Sequence, residues 1–184
     1  MTTSIIFIII GIIAFFMLSS LIMMFSWHKK VPPEQALVRT GAGGIKVAID
    51  NSIFVIPQMH KQYLVDLNLK RIEVECENQE AVQTKDGILV DVRASFYIRV
   101  NRNSLDIIKV MQSIGFQTVN DSKAMNNLFL PKFKEAINAI VPRSNYSDLQ
   151  NNIDEVKLNL LNHIGSDLHG MMLDDVAIDY VGKT

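Results

Sequence analysis

The first charged residue of this chain is Lys29. From Ile5 to Trp27 only Gly11, Ser19, Ser20 and Ser26 interrupt an apolar run. At about 1.5 Å per residue, a helix over that run spans roughly 34 Å, slightly more than a hydrocarbon core of about 30 Å. Ile, Leu and Phe fill 14 of its positions. Each favours the bilayer centre by about 0.3–0.6 kcal/mol, and no charge opposes them at a cost of about 3 kcal/mol. The β-branched run Ile8-Ile9-Ile10 makes a poor helix in water, but in lipid the backbone must satisfy its own hydrogen bonds, so helix wins. The run predicts a transmembrane helix over about residues 4–27. A cleaved signal peptide fits less well: no Lys or Arg precedes the run, it is too long for an h-region, and no A-x-A site follows. Trp27 suits a membrane interface, and Lys29 and Lys30 suit the inner face. The expected topology is a single pass with the N-terminus outside and residues 31–184 in the cytoplasm.

What lies beyond Lys30 has ordinary composition and enough length for one domain or two small subdomains around a real core. The whole chain carries a net charge of −1, which gives no basic face for nucleic acid. Cys76 is the single cysteine, so no intrachain disulfide exists and the redox compartment is undiagnosed. It sits in an alternating strand pattern and reads as a small core residue.

Pro32-Pro33 predicts a stiff break after the apolar helix, because proline cannot continue helical hydrogen bonding. Gln35–Thr40 is a first strand, and Ile45, Val47 and Ile49 alternate in a second. Between them stands Gly41-Ala42-Gly43-Gly44. A phosphate-binding loop would need a different glycine spacing and a following helix, so glycines supplying positive φ in a hairpin are the better reading. Ile53-Phe54-Val55-Ile56 is a short apolar run ending at Pro57, read as a buried strand, with contact to nearby lipid as the other possibility. From Gln62 to Glu77, the residues Leu67, Leu69, Ile72, Val74 and Cys76 alternate with a break near Lys70-Arg71, which predicts a bulge or bend.

Lys85-Asp86-Gly87 between alternating runs is a hairpin signal. After it, Ile88, Val90, Val92, Ala94, Phe96, Ile98 and Val100 take one face of a strand, and Leu89, Asp91, Arg93, Ser95, Tyr97 and Arg99 the other. The period then changes. Ser104 is placed to cap a helix to Ile114 with Leu105, Ile108 and Met111 on one face. Pro131 is expected to divide the stretch from Asp121 to Val141 into two helices. Ser147 and Gln150 match a capping box opening a helix that carries Leu149, Ile153, Val156, Leu160, Ile164 and Leu168, with Gly170 as its stop. Leu173–Val181 returns to strand. Strands, then helices, then a last strand predict an α+β fold with a β-rich first subdomain and an α+β second one.

The search for chemistry is negative. His28 lies at the membrane edge and His60 in a turn; His163 and His169 are six apart and, on one helix, would point to opposite sides. No H-E-x-x-H, paired-cysteine or G-x-S-x-G motif exists. Asp91, Arg93 and Arg99 are ordinary partners on a solvated strand face. Asp174 and Asp175 would point to opposite faces of a strand and form no dyad. Ser147 and Ser166 have structural explanations. No catalytic, cofactor-binding or metal residue is expected, and the chain is read as no enzyme.

An apolar helix followed by Val31-Pro32-Pro33-Glu34-Gln35-Ala36-Leu37-Val38-Arg39-Thr40-Gly41, then Phe54-Val55-Ile56-Pro57, Thr84-Lys85-Asp86-Gly87-Ile88-Leu89-Val90-Asp91-Val92 and Tyr97-Ile98-Arg99-Val100, resembles the SPFH (band 7) domain. The similarity is greatest to the flotillin-like proteins of the bacterial inner membrane, of the YqiK type. The pieces are collinear and cover nearly all of residues 31–184. The resemblance implies a scaffold rather than a catalyst: large homo-oligomers lying on the membrane and confining lipid and protein in microdomains. It implies self, membrane lipids, and an NfeD-type membrane protein or a membrane protease as partners. A regulatory subunit that cages a membrane protease is the alternative within the same fold. Flotillins continue into a long heptad-rich coiled coil, whereas this sequence ends at Gly182-Lys183-Thr184 with no sustained heptads. It reads either as a portion of a longer protein or as a short member. Trp27, Lys29 and Lys30 are the expected interface residues, and Ile53, Phe54, Val55 and Ile56 the candidate lipid contacts.

Overall fold

A computed structural model describes residues 2–165 and 168–184, in two compact units, Met1–Leu64 and Val65–Thr184. The first opens with helix α1, Thr2–Ser26. Its large apolar side chains stand open: Phe7 is 75% and Phe25 71% exposed, the reverse of a core helix. Ile5–Met23 is long and apolar enough to cross a bilayer. The helix stops before the prolines expected to end it. Strand β1, His28–Lys30, follows at once and pairs antiparallel with β4, Ser52–Phe54. Trp27 O also accepts the Val55 N–H at 3.0 Å. Strand pairing has therefore taken the chain out of the helix, and Pro32 shapes a turn in which its carbonyl accepts from Gln35 N–H at 3.1 Å.

A second small sheet in this unit has the order β3-β2-β5, with β2 at Gln35–Gly41, β3 at Lys46–Ile49 and β5 at His60–Asp66. β2 and β3 form the expected hairpin, Ala36 facing Ile49 and Arg39 facing Lys46. The glycines between them turn the chain at positive φ. Gly41 has a further reason: a Cβ there would lie 2.2 Å from Met59 O, so the two backbones approach where no side chain fits.

The second unit is built on a sheet with β8, Leu89–Val100, at its centre. One edge of β8 pairs with β6, Lys70–Cys76, and β7, Val82–Gln83; the other pairs with β9, Met171–Lys183. All pairings are antiparallel. The alternation read from the sequence holds, since Val90, Val92, Ala94, Phe96, Ile98 and Val100 are buried. The bend near Lys70 is a full separation of β5 from β6. Leu69, read as part of the buried alternation, is 51% exposed in the connection.

The helices are α2 (Ser104–Ser113), α3 (Phe116–Asn120), α4 (Ser122–Ile140), α5 (Tyr146–Asn151) and α6 (Ile153–Ile164). α4 packs on β6 and α6 on β9. Phe133 stacks on Phe96 with centroids 4.4 Å apart and on Phe129 at 5.8 Å. Fully burying each such ring stabilises by roughly 2–3 kcal/mol.

Several helix details differ from expectation. α4 runs straight through Pro131. Pro131 and Asn127 lie on its exposed side, so the carbonyl that proline leaves unbonded faces water, while Phe129 and Phe133 hold both halves in the core. Asn103, not Ser104, caps α2, accepting from Leu105 N–H at 3.1 Å. The buried face of α2 is Ile107 and Val110, and Leu105 is 74% exposed. The start of α5 is held from Asn145 and Asp148 rather than Ser147 and Gln150: Asp148 Oδ2 accepts from Asn145 N–H at 3.4 Å and from its Nδ2 at 3.0 Å. The last helix ends at Gly165, not Gly170. His169 therefore lies off the helix, at φ 57 in the turn before β9. Ser166 lies outside the described residues.

Candidate membrane-interface site

The structure brings Lys29, Lys30, Ile53 and Phe54 onto one two-stranded sheet directly behind α1, with Trp27 just before its first strand and Val55 and Ile56 just after its second. His28 faces Phe54, Lys29 faces Ile53 and Lys30 faces Ser52. The Trp27 and Phe54 rings meet edge-on at 5.6 Å. Val55 is buried, as read for the whole run, but Ile53, Phe54 and Ile56 are only half-buried. The reason is that the covering strand carries exposed His28, Lys29 and Lys30, which leave part of the apolar surface open.

Two side chains that the sequence reading gave no role hold this region together. His60 receives the Ile56 N–H on Nδ1 at 3.0 Å, so Nε2 carries the proton and donates to Ala42 O at 3.0 Å. It thereby ties the glycine hairpin to the turn after Pro57. Arg39 ends the buried run Ala36-Leu37-Val38-Arg39 and is 8% exposed. Its Nη1 donates to Phe54 O at 2.9 Å, linking β2 to β4. The signal that would have found it is an arginine in line with three apolar residues just before a glycine cluster.

Arg39 differs from the other arginines with a buried Nε that lacks a hydrogen bond. Arg93 Nε has Glu75 at 3.3 Å, and Arg99 Nε has Asp174 at 2.8 Å. The acceptor that Arg39 reaches, Phe54 O, is uncharged. Taking a guanidinium out of water is costly unless charge and hydrogen bonds compensate it.

Several charged residues of the second unit are paired with one another. Arg71 pairs with Glu73 at 3.1 Å and Asp179 at 3.5 Å, and Arg93 with Glu77 at 2.8 Å. Asp91 accepts from Asn78 N–H and the Thr184 hydroxyl. The two aspartates read as opposed on a strand flank a break in register: Asp174 is an extra residue in the ladder and pairs with Arg99, while Asp175 accepts from Val176 N–H. Burial pushes the Cys76 thiol up, away from the reactive thiolate. Among the described residues no cluster of three or more His, Cys, Asp and Glu is placed to hold a metal ion. A concavity of about 840 Å³ opens between β6 and α4, but its Arg71 and Lys134 are engaged by Glu73 and Glu80.

The chain joins an apolar N-terminal helix, long enough to cross a bilayer, to α+β structure, with the cationic Lys29 and Lys30 at the junction. The chain belongs to the SPFH domain / Band 7 family, whose match runs over residues 29–181. It is similar to "Flotillin family inner membrane protein YqiK" of Escherichia coli (strain K12), 28% identical over 159 residues, which are 85% of this chain and 29% of that protein. It is also similar to "Flotillin family inner membrane protein sll1021" of Synechocystis sp., 24% identical over 182 residues, 96% of this chain and 27% of that protein. The chain thus spans less than a third of the length of these relatives.

Proposed function

We propose that this chain is the membrane-anchored SPFH part of a scaffold that homo-oligomerises and organises a patch of lipid and protein in the bacterial inner membrane. The observation that carries the reading is the family match at 29–181 directly behind the apolar helix Ile5–Met23. The relatives' names as flotillin-family inner membrane proteins support the location. α1 is the anchor, Trp27, Lys29 and Lys30 mark the cytoplasmic interface, and Ile53, Phe54 and Ile56 lie against lipid. Anchored copies move in two dimensions, so weak contacts between them act at high effective concentration. The role asks for no catalysis.

Crosslinking in intact membranes, with sizing in mild detergent, tests the assembly. Large homo-oligomers are expected, and a strictly monomeric particle from the full-length protein in both measurements would sink the reading. The protease-caging alternative predicts a stoichiometric heteromer in an affinity pull-down. NfeD-type proteins would appear in the same pull-down as substoichiometric partners. Protease digestion of sealed spheroplasts tests orientation: residues beyond Lys30 should be protected until the membrane is opened.

A further inference from the structure

We propose that Arg39, beside Gly43 and bonded to the strand pair that carries Lys29 and Lys30, binds the phosphate of an anionic phospholipid headgroup. The inference rests on reading α1 as a membrane anchor and adds what the domain recognises at that surface.

Three independent observations meet at Arg39. The first is its unspent bonding capacity. A guanidinium presents five N–H donors in a planar fork suited to a phosphate. Here one hydrogen bond, Nη1 to Phe54 O, is made, and the buried Nε has no partner among the described residues. The second is space. A Cβ on Gly43 would lie 3.6 Å from Arg39 Nη2, so the glycine leaves that flank of the guanidinium without a side chain, and Gly43 sits at φ +84, where other residues are strained. The third is position. α1 ends at Ser26, β1 follows two residues later, and β1 pairs with β4, whose Phe54 carbonyl receives the Arg39 hydrogen bond. A helix crossing the bilayer therefore delivers this cluster to headgroup level.

The charge of the chain is divided in the same sense. Between Trp27 and Leu64 stand Lys29, Lys30, Arg39, Lys46 and Lys61 against Glu34 and Asp50, a net +3. Val65–Thr184 carries −4, which with +3 returns the chain's −1. Basic residues next to a membrane helix read as attraction to anionic lipid. Lys29 and Lys30, both exposed, supply the long-range part, and Arg39 supplies the directed contact. An arginine serving only to hold Phe54 would show no headgroup preference.

The test uses the full chain in a non-ionic detergent, titrated with short-chain phosphatidylglycerol, phosphatidylcholine or inorganic phosphate. Bound lipid is counted by native mass spectrometry, and unfolding is followed by fluorescence of Trp27, the single tryptophan. Phosphatidylglycerol should bind in preference to phosphatidylcholine and raise the unfolding temperature. Arg39→Met should weaken phosphatidylglycerol about tenfold or more, the loss of a charge-assisted contact. Arg39→Lys, which keeps the charge without the fork, should fall between and serves where Arg39→Met does not fold. Equal affinity of wild type and both variants for phosphatidylglycerol would overturn the proposal. So would inorganic phosphate competing as well as the lipid, since the site would then belong to a soluble anion. Resistance of the chain to alkaline extraction from membranes is measured in parallel. Loss of lipid preference with the chain still embedded refutes the headgroup site alone; extraction refutes the anchor.

Discussion

Pro131 lies in the interior of α4, a 19-residue helix, and should be a stability defect that one substitution repairs. A proline there cannot donate to the Asn127 carbonyl, and relative to alanine it costs a helix interior about 3 kcal/mol. Because Pro131 is exposed, Pro131→Ala removes that cost without touching the core. Alanine also loosens the unfolded chain, which takes back about 0.4–1 kcal/mol. The net gain is about 2 kcal/mol. In urea, with a slope near 2 kcal/mol/M, the midpoint should rise by about 1 M at unchanged slope. The assay is circular dichroism at 222 nm on the full chain in detergent, where α1 contributes a constant helical background. Glu135→Ala, on the exposed face of the same helix, is the control and should stay within about 0.5 kcal/mol of wild type. A midpoint that does not move, or falls, would refute the reasoning: either α4 is broken at Pro131 in solution, or the proline supplies something that the helix geometry does not reveal.

Phe133→Ala should cost about 3–5 kcal/mol in the same assay, and a double-mutant cycle with Phe96→Leu should return about 1 kcal/mol of coupling for their stacked rings. Asp86, whose carboxyl the Thr84 hydroxyl holds below its usual 3.8, also accepts from the Tyr146 N–H that opens α5. Its contribution is therefore full above 3.8 and disappears as pH falls through the lower folded value. Asp86→Asn should destabilise at neutral pH, with the gap to wild type closing on acidification; a gap constant with pH, in unfolding midpoints at matched pH, would rule this out. His60→Ala should lower the unfolding midpoint followed by Trp27 fluorescence by about 1–2 kcal/mol, because it leaves the Ile56 N–H and Ala42 O without their partner.

The parts legible in the sequence were those fixed by local periodicity. The apolar run of α1, the alternation of β8 and the Asp-Gly hairpin each encode their structure in a few neighbouring residues. What stayed hidden depends on tertiary neighbours. Pro131 reads as a break because helix propensity speaks against it; only Phe96 across the core shows why Phe129 and Phe133 keep the helix whole. Strand β1 is invisible because His28-Lys29-Lys30 has no alternation, and its partner β4 is more than 20 residues on. Asp86 reads as a turn residue, yet it also anchors Tyr146, 60 positions away. Of the proposed site, Trp27, Lys29 and Lys30 are assigned from composition beside the apolar run alone. Arg39 and His60 are not, since their meaning lies in Phe54, Ala42 and Ile56.

Charge and contact should act separately on a chain built this way, and salt can divide them. Near an anionic surface each basic residue is worth about 1 kcal/mol, so a net +3 around Trp27–Leu64 favours the surface by about 3 kcal/mol. Val65–Thr184, at −4, is repelled over the same range. Both effects fade within about 8 Å at physiological salt, too short to hold neighbouring copies in register. In the proposed assembly that order has to come from surfaces in contact. β9 is a 13-residue outer strand, but its ladder is interrupted at Asp174 and Asp179, which guards it against simple strand addition. Side-chain surfaces are left as the means of contact, and exposed Leu105 and Leu158 supply apolar area for it. Raising sodium chloride from physiological strength to 1 M shortens the screening length to about 3 Å. The part of the phosphatidylglycerol preference that exposed Lys29 and Lys30 supply should then weaken while crosslinks between copies persist. Crosslinks lost in parallel with lipid preference would mean that copies are gathered by the charged lipid itself, and the contact surfaces would drop out of the account.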